Sequence, residues 1–107
     1  PNELFHKFVA LVHEYCCSQR DVVFYAGKLC IPTKYLTSIC RSLTGHSAKK
    51  VIDDFTALEI KVLLQSTDLS IQEIADRLNF PDQSYLGRYF KRHEGVSPME
   101  YRAELAG

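Results

Sequence analysis

Residue types that could carry out enzyme or metal chemistry occur in this sequence, but not at the spacings that such chemistry needs. The four cysteines, Cys16, Cys17, Cys30 and Cys40, include no Cys-x-x-Cys pair, which is a common spacing of zinc ligands. There is no serine or cysteine nucleophile in a recognisable catalytic context and no glycine-rich phosphate loop. The sequence therefore predicts no enzyme, no metal site and no cofactor.

The isolated reactive residues have simpler interpretations. Cys16 and Cys40 fall at apolar positions of helical patterns, which favours reduced core residues. Asp53 and Asp54 are adjacent on a helical segment, where we expect surface charge rather than a metal site. No small-molecule site is expected in this chain.

The distribution of charge is more informative than its total, which is formally zero. Residues 28–50 contain five basic residues and no acid, and residues 77–92 contain four basic residues against Asp82 alone. Between them, residues 51–76 carry six acids against Lys61. Contact with phosphate requires local positive charge rather than a high overall pI. The two basic segments are therefore compatible with nucleic-acid binding, although solvated helix faces would produce the same pattern.

Residues 70–102 show which elements could present this charge. Ser70-x-x-Glu73 is a capping box that starts a short helix, and Asp82 can cap a second helix after a tight turn. Gly95 ends the second helix, and Ser97-Pro98-x-Glu100 starts a third. A basic and polar helix held over a small helical scaffold is the arrangement that presents side chains to a DNA groove.

Three blocks of residues at fixed spacing accompany these helices. They are Ile74-Ala75-x-x-Leu78-x-Phe80, Ser84-x-Leu86-x-Arg88-x-Phe90-Lys91 and Gly95-x-Ser97-Pro98-x-x-Tyr101-Arg102. Together they resemble the second helix-turn-helix of the AraC/XylS transcription regulators. Many elements at fixed spacing make this resemblance far more specific than a lone helix-turn-helix pattern would be.

The same frame occurs earlier in the chain. Residues pair at an offset of 49 before the turn (Ala26 with Ala75) and of 50 after it (Leu36 with Leu86, Gly45 with Gly95). The second unit therefore has one extra residue in its turn. With this repeat, the resemblance covers about Leu4 to Arg102 and implies two helix-turn-helix units.

We therefore predict an all-α fold of about seven helices, with two helix-turn-helix subdomains joined by a long central helix. The predicted parts are a first subdomain (1–47), a linker helix (48–66) and a second subdomain (67–107). Recognition helices 33–43 and 83–94 are expected in adjacent major grooves of double-stranded DNA. A helix of about 18 residues spans roughly 27 Å, which suits major-groove faces about 34 Å apart.

The resemblance separates base reading from phosphate contact. The base-reading candidates are Lys34, Thr37, Ser38 and Arg41 in the first recognition helix, and Gln83, Ser84 and Arg88 in the second. Lysine favours guanine and glutamine adenine, whereas Arg88 either reads guanine or holds a phosphate. Gly87 stands at a matching position but has no side chain to read a base. The phosphate-contact candidates are Lys49, Lys50, Ser70, Lys91, Arg92 and Ser97.

Apolar spacing predicts the packing residues. On the central helix, the predicted stripe includes Leu58 and Val62, and on the last helix Met99 and Leu105 are expected to pack on the second unit. Three tyrosines of the recognition helices are also expected to pack: Tyr35, Tyr85 and Tyr89.

These observations predict sequence-specific DNA binding by the DNA-binding domain of a bacterial transcription regulator. The resemblance implies a sensory or dimerisation region upstream of Pro1, and RNA polymerase is a further partner compatible with it. With no run of about 18 apolar residues and no signal peptide, we expect a cytoplasmic protein. The alternative is a helical protein-interaction module that no longer reads DNA, which the neutral net charge would suit.

Overall fold

The computed structural model describes residues 2–106 and shows seven α-helices and no strand within them. The helices are α1 (Asn2–Tyr15), α2 (Val22–Lys28), α3 (Thr33–Thr44), α4 (Ala48–Ser66), α5 (Ile71–Arg77), α6 (Gln83–Glu94) and α7 (Pro98–Ala106). The predicted all-α fold is confirmed. The predicted bounds of the central helix and of the second recognition helix agree with α4 and α6, and α3 extends one residue beyond the prediction, to Thr44. Over residues 2–106, no helix has both the length and the apolar character needed to cross a bilayer.

The predicted capping boxes start α5 and α7. The Ser70 Oγ accepts the Glu73 N–H at 3.1 Å, and the Glu73 carboxylate accepts the Ser70 N–H at 2.8 Å. Ser97 and Glu100 repeat the arrangement, at 3.1 Å and 2.9 Å. Each box satisfies two backbone donors that the helix start would otherwise leave without a partner. Short-range sequence therefore fixes where both helices begin.

The two helix-turn-helix turns share one backbone path. Cys30 and Asn79, 49 residues apart, both take left-handed conformations, with φ of 57° and 60°. The N–H that follows each one bonds back across the turn, from Ile31 to the Ala26 carbonyl and from Phe80 to the Ala75 carbonyl. Four residues separate α2 from α3 and five separate α5 from α6, so the predicted extra residue is confirmed.

The chain divides into two compact units, with the boundary between Thr56 and Ala57 inside α4. Each unit has its own core. That of the first unit centres on Phe8, Val12, Tyr25, Leu36, Cys40 and Ile52. That of the second centres on Ile60, Ile74, Leu78, Leu86 and Phe90. The division into two subdomains and a linker helix stays a prediction.

The buried row of α4 differs from the predicted one. Ile52, Thr56, Ile60 and Leu64, spaced four residues apart, are buried, whereas the side chains of Leu58 and Val62 are exposed. Apolar periodicity did not predict this row, because one of its four residues is a threonine. Thr56 can be buried since its hydroxyl donates to the Ile52 carbonyl at 2.8 Å, which satisfies the polar group inside the helix.

Four further predictions concern α7 and the cysteines. Met99 (66% exposed) and Leu105 (49% exposed) do not pack as predicted, and α7 is held instead by Tyr101 and Arg102. The Arg102 guanidinium donates to the carbonyl of Leu64 near the end of α4 and to those of Thr67 and Leu69 in the loop before α5. Cys16 and Cys40 are reduced and buried in the core of the first unit, as predicted. Burial raises the pKa of the Cys40 thiol.

Candidate nucleic-acid interface

The predicted base-reading residues of α3 share the outer side of that helix. Leu36, Ile39 and Cys40 form its buried side. Opposite them, Lys34, Ser38 and Arg41 are exposed and Thr37 is half-buried. Because α3 contains no acidic residue, its outer side is cationic and polar.

The outer side of α6 has the same form with more charge. Leu86, Tyr89 and Phe90 face the core of the second unit. The exposed residues are Gln83, Ser84, Tyr85, Arg88, Lys91 and Arg92, and they include five of the predicted contact residues besides Tyr85. The one acid of the helix, Glu94, pairs with Lys61 of α4 at 2.5 Å. The outer side of α6 therefore carries three cations and no opposing acid of its own helix.

Burial along the two recognition helices agrees position by position. From Thr33 to Ser42 and from Gln83 to Arg92, each residue and its counterpart 50 positions later fall in the same class of exposure. Thr37 and Gly87, at equivalent positions, are both half-buried. The two units therefore present the same helix face, and only the side chains on it differ.

Sequence reasoning missed two members of this face. Tyr35 and Tyr85 were expected to pack, but their side chains are 46% and 45% exposed, whereas Tyr89 is buried as expected. Each exposed tyrosine directly precedes the buried leucine of its helix and lies on the outer side of that helix. The signal that could have found them was the repeat itself, because the two tyrosines are 50 residues apart. Their hydroxyl groups can donate to a base edge or to a phosphate.

The first turn of α6 is fixed by side chains from two elements. Asp82 caps the helix by accepting the Tyr85 N–H at 2.8 Å. The Gln72 amide oxygen of α5 accepts the Gln83 N–H at 3.3 Å, and the Gln72 amide nitrogen donates to Asp76 at 2.9 Å. These contacts hold the start of the reading face against the preceding helix.

The equivalent turn of the first unit has no such contacts. The N-cap of α3 is Pro32, which makes no side-chain capping bond. Val23 and Gly27 stand where the second unit has Gln72 and Asp76, and neither has a polar side-chain atom. The N-cap position is equivalent in the two units, and the cap differs because it is Asp82 in the second unit and Pro32 in the first. Of the two recognition helices, α6 has the more strongly held start.

The predicted phosphate contacts at the start of α4 are engaged within the helix. Lys49 pairs with Asp53 at 3.4 Å, and Lys50 pairs with Asp54 at 2.7 Å. The expectation of surface charge is wrong for Asp53, which is buried with 4% exposure. A carboxylate can be buried there because the ammonium group one turn earlier offsets its charge. Asp54 is exposed, as expected.

The two serines predicted to contact phosphate stand at the starts of α5 and α7. Ser70 and Ser97 each belong to a capping box, and the backbone N–H of each is taken by a glutamate. Those N–H bonds, together with the serine hydroxyls, lower the pKa of Glu73 and of Glu100. Each serine hydroxyl must therefore give up its bond to the glutamate before it can donate to an incoming oxygen.

A groove of about 450 Å³ connects several of these residues in the second unit. Gln83, Ser84 and Gly87 line it on the side of α6, and Ser97 and Met99 line it on the side of α7. The structure therefore brings two predicted base-reading residues next to one predicted phosphate contact. Lys91 and Arg92 do not line this groove.

Comparison with known proteins identifies the class to which this fold belongs. The model of a helix-turn-helix domain family matches residues 25–104, so the chain belongs to that family. Its relatives make it an AraC-type member, as predicted. The arabinose operon regulatory protein of Salmonella typhimurium LT2 is 31% identical over 86 residues, 80% of this chain and 31% of the relative. The Msm operon regulatory protein of Streptococcus mutans is 32% identical over 95 residues, 89% of this chain and 34% of the relative.

Solved structures agree with this assignment. The DNA-binding domain of AdpA, in complex with a target DNA, has a TM-score of 0.81 at 30% identity and covers 92% of this chain and 89% of that chain. The C-terminal domain of the two-component response regulator yesN from Fusobacterium nucleatum has a TM-score of 0.80 at 25% identity, covering 89% of this chain and 93% of that one. These relatives are regulators, which confirms the prediction that the chain is not an enzyme. The chain spans about a third of the length of the curated relatives named above.

Proposed function

We propose that this chain binds double-stranded DNA sequence-specifically as the DNA-binding domain of a transcription regulator, through the outer sides of α3 and α6. The observation that supports this most is the matched exposure of the two recognition helices, which keeps one face polar and basic in both units. The AdpA domain, with which the chain shares 30% identity, carries a target DNA on the same fold.

Base reading is proposed for exposed and half-buried residues on the outer side of each recognition helix. Lys34 in α3 and Gln83 in α6 have the donors to read guanine and adenine, respectively. Thr37, Ser38, Arg41, Ser84 and Arg88 complete the proposed set. Because Asp82 and Gln72 hold the first turn of α6, the backbone of Gln83 is already positioned when the helix enters the major groove of DNA. Such preorganisation favours recognition since less conformational freedom is lost on binding.

Phosphate contact is proposed chiefly for Lys91 and Arg92, which are exposed in the last turns of α6. Lys49 and Lys50 are also proposed as phosphate contacts. To contact a phosphate, each lysine must break or share the ion pair that it forms with an aspartate. Their contribution should therefore be smaller than that of Lys91. Ser70 and Ser97 are proposed to donate their hydroxyl groups to phosphate oxygens.

An electrophoretic shift with duplex DNA at two salt concentrations tests the proposal. The chain should shift random-sequence duplex at low salt and lose affinity steeply as salt rises, because phosphate contacts release counterions. Arg88→Ala combined with Lys91→Ala should weaken the shift, whereas Lys7→Ala, on the exposed side of α1, should not. A protein-interaction module that no longer reads DNA would show no shift at either salt concentration.

The remaining proposals concern the whole protein. We propose that the domain comprises subdomains 1–47 and 67–107 joined by linker helix 48–66, and that it acts in the cytoplasm, where a bacterial regulator meets its operator. A sensory or dimerisation region elsewhere in the same protein and RNA polymerase are its proposed partners besides DNA. Limited proteolysis of the full-length protein, followed by mass determination, would show whether a stable fragment corresponds to this domain.

A further inference from the structure

Two residues that line the groove between α6 and α7, Gly87 and Met99, are unusual for their positions. Gly87 lies inside a recognition helix, and a Cβ added there would meet nothing within 4 Å. Met99 is 66% exposed at the other side of the groove, although methionine is an apolar residue. The lining residues Ile71, Pro98 and Met99 are apolar, and none of the lining residues is charged.

The first unit has different residues at the same positions. The repeat places Thr37 at the position of Gly87, Lys34 at that of Ser84 and Lys49 at that of Met99. The first unit thus has two cations and a branched side chain where the second unit has serine, methionine and glycine. The two recognition helices share one exposure pattern. The difference therefore changes which chemical group the exposed face can bind, but not which positions are exposed.

We infer that the groove at Gly87 reads thymine through its C5-methyl group, with Ile71 and Met99 as apolar walls. The inference rests on the proposed DNA binding by α6. In the major groove, the methyl group of thymine is the one apolar feature that distinguishes a base pair. The part of the groove between Ile71 and Met99 is apolar and suits that group, and the groove has no cationic side chain that would favour guanine or a phosphate. The flexible thioether side chain of Met99 can close over a methyl group from the exposed side.

Deoxyuridine substitution tests the inference, because it removes only the methyl group and leaves base pairing unchanged. A specific duplex is first selected from a random pool, and each thymine in it is then replaced in turn by deoxyuridine. One or two replacements should weaken binding of the parent chain about three- to fivefold, the effect of burying one methyl group.

The variant Gly87→Asn places a polar side chain without a methyl group in the groove, and it should abolish sensitivity to those replacements. Gly27→Asn is the matched control, because Gly27 is also a helical glycine with open space around its Cβ position, but lies in α2. The control should keep the full three- to fivefold sensitivity. A circular dichroism melt of both variants establishes that they fold.

Two results would overturn the inference while leaving the proposed function intact. One is specific binding in which no deoxyuridine replacement weakens affinity. The other is a sensitivity that persists unchanged in folded Gly87→Asn. Absence of any specific DNA binding by the parent chain would overturn the inference together with the proposed function.

Discussion

Lys91 provides the sharpest test of how charge on α6 is used. Its side chain is exposed in the last turn of a helix whose acid, Glu94, is already paired with Lys61. Lys91 therefore meets DNA without first giving up an ion pair to Glu94, although its charge also lowers the pKa of Glu100 in α7. The substitution Lys91→Ala should remove one phosphate contact and leave the fold intact, because Lys91 belongs to neither hydrophobic core.

The expected magnitude follows from counterion release. One phosphate contact contributes about 0.9 to the slope of log Kobs against log salt concentration. Between about 50 mM and 200 mM salt, the parent should therefore lose roughly 3.5-fold more affinity than Lys91→Ala does. Fluorescence anisotropy with a labelled duplex at five or six salt concentrations resolves a difference of this size. The weakening should be similar on all sequences, since a phosphate contact carries no base information.

Two controls make this result interpretable. Lys7→Ala removes the same charge from the exposed side of α1 and should leave the slope unchanged. Lys50→Ala should lower the slope by less than Lys91→Ala does, because Lys50 is paired with Asp54 at 2.7 Å. An unchanged slope in Lys91→Ala, or an equal fall in Lys7→Ala, would refute the reasoning.

Three further predictions concern reading, stability and pH. Lys34→Ala should cost about 1–3 kcal/mol on the preferred site and relax selectivity at one base pair in a competition assay; a uniform loss on all sequences would rule out base reading. Asp82→Ala should lower the free energy of unfolding in urea by about 1 kcal/mol through loss of the α6 cap, and an equal loss in Ser84→Ala would contradict this. Because the pKa values of Glu73 and Glu100 are lowered in the folded chain, they stabilise it above their unfolded pKa values, and that contribution is lost as pH falls through the folded values. Acid unfolding of Glu73→Gln should consequently depend less on pH below about pH 4.5 than that of the parent, and curves of the same steepness would be the contrary result.

Features that depend on neighbouring residues could be predicted from the sequence. The capping boxes at Ser70 and Ser97 and the cap at Asp82 join atoms three residues apart, so residue type and spacing determine them. The one-residue difference between the two turns was also visible, because the repeat preserves its frame on both sides of each turn. These local rules were enough to place the recognition helices within one residue of their observed ends.

Features that depend on contacts between distant residues could not be predicted. Asp53 and Thr56 are polar yet buried, and their burial depends on partners that compensate them, Lys49 and the Ile52 carbonyl. The bond from the Gln83 N–H to Gln72 joins two helices across eleven residues. Polarity scales place such residues at the surface, because they cannot show which partner will satisfy a buried group.

The candidate site likewise contains features that could be predicted from the sequence and features that could not. The outer sides of α3 and α6 follow from helical periodicity, and the predicted contact residues on those helices lie there. Tyr35, Tyr85 and Met99 were assigned to packing because they are large and apolar, and all three are exposed. Their positions became interpretable only when the two units could be compared by exposure. Gly87 changed in meaning as well, from a gap in the reading face to the opening of a groove.

Selection of binding sites from a random duplex pool tests the central claim most directly, when it is done in parallel with the parent chain, Lys34→Ala and Gln83→Ala. The parent should enrich a defined sequence, and each variant should lose selectivity in a different part of it. The prediction of adjacent major grooves requires those two parts to be centred about 10–10.5 base pairs apart. Failure of the parent to enrich any sequence, or enrichment that neither variant alters, would contradict DNA reading by the outer sides of α3 and α6.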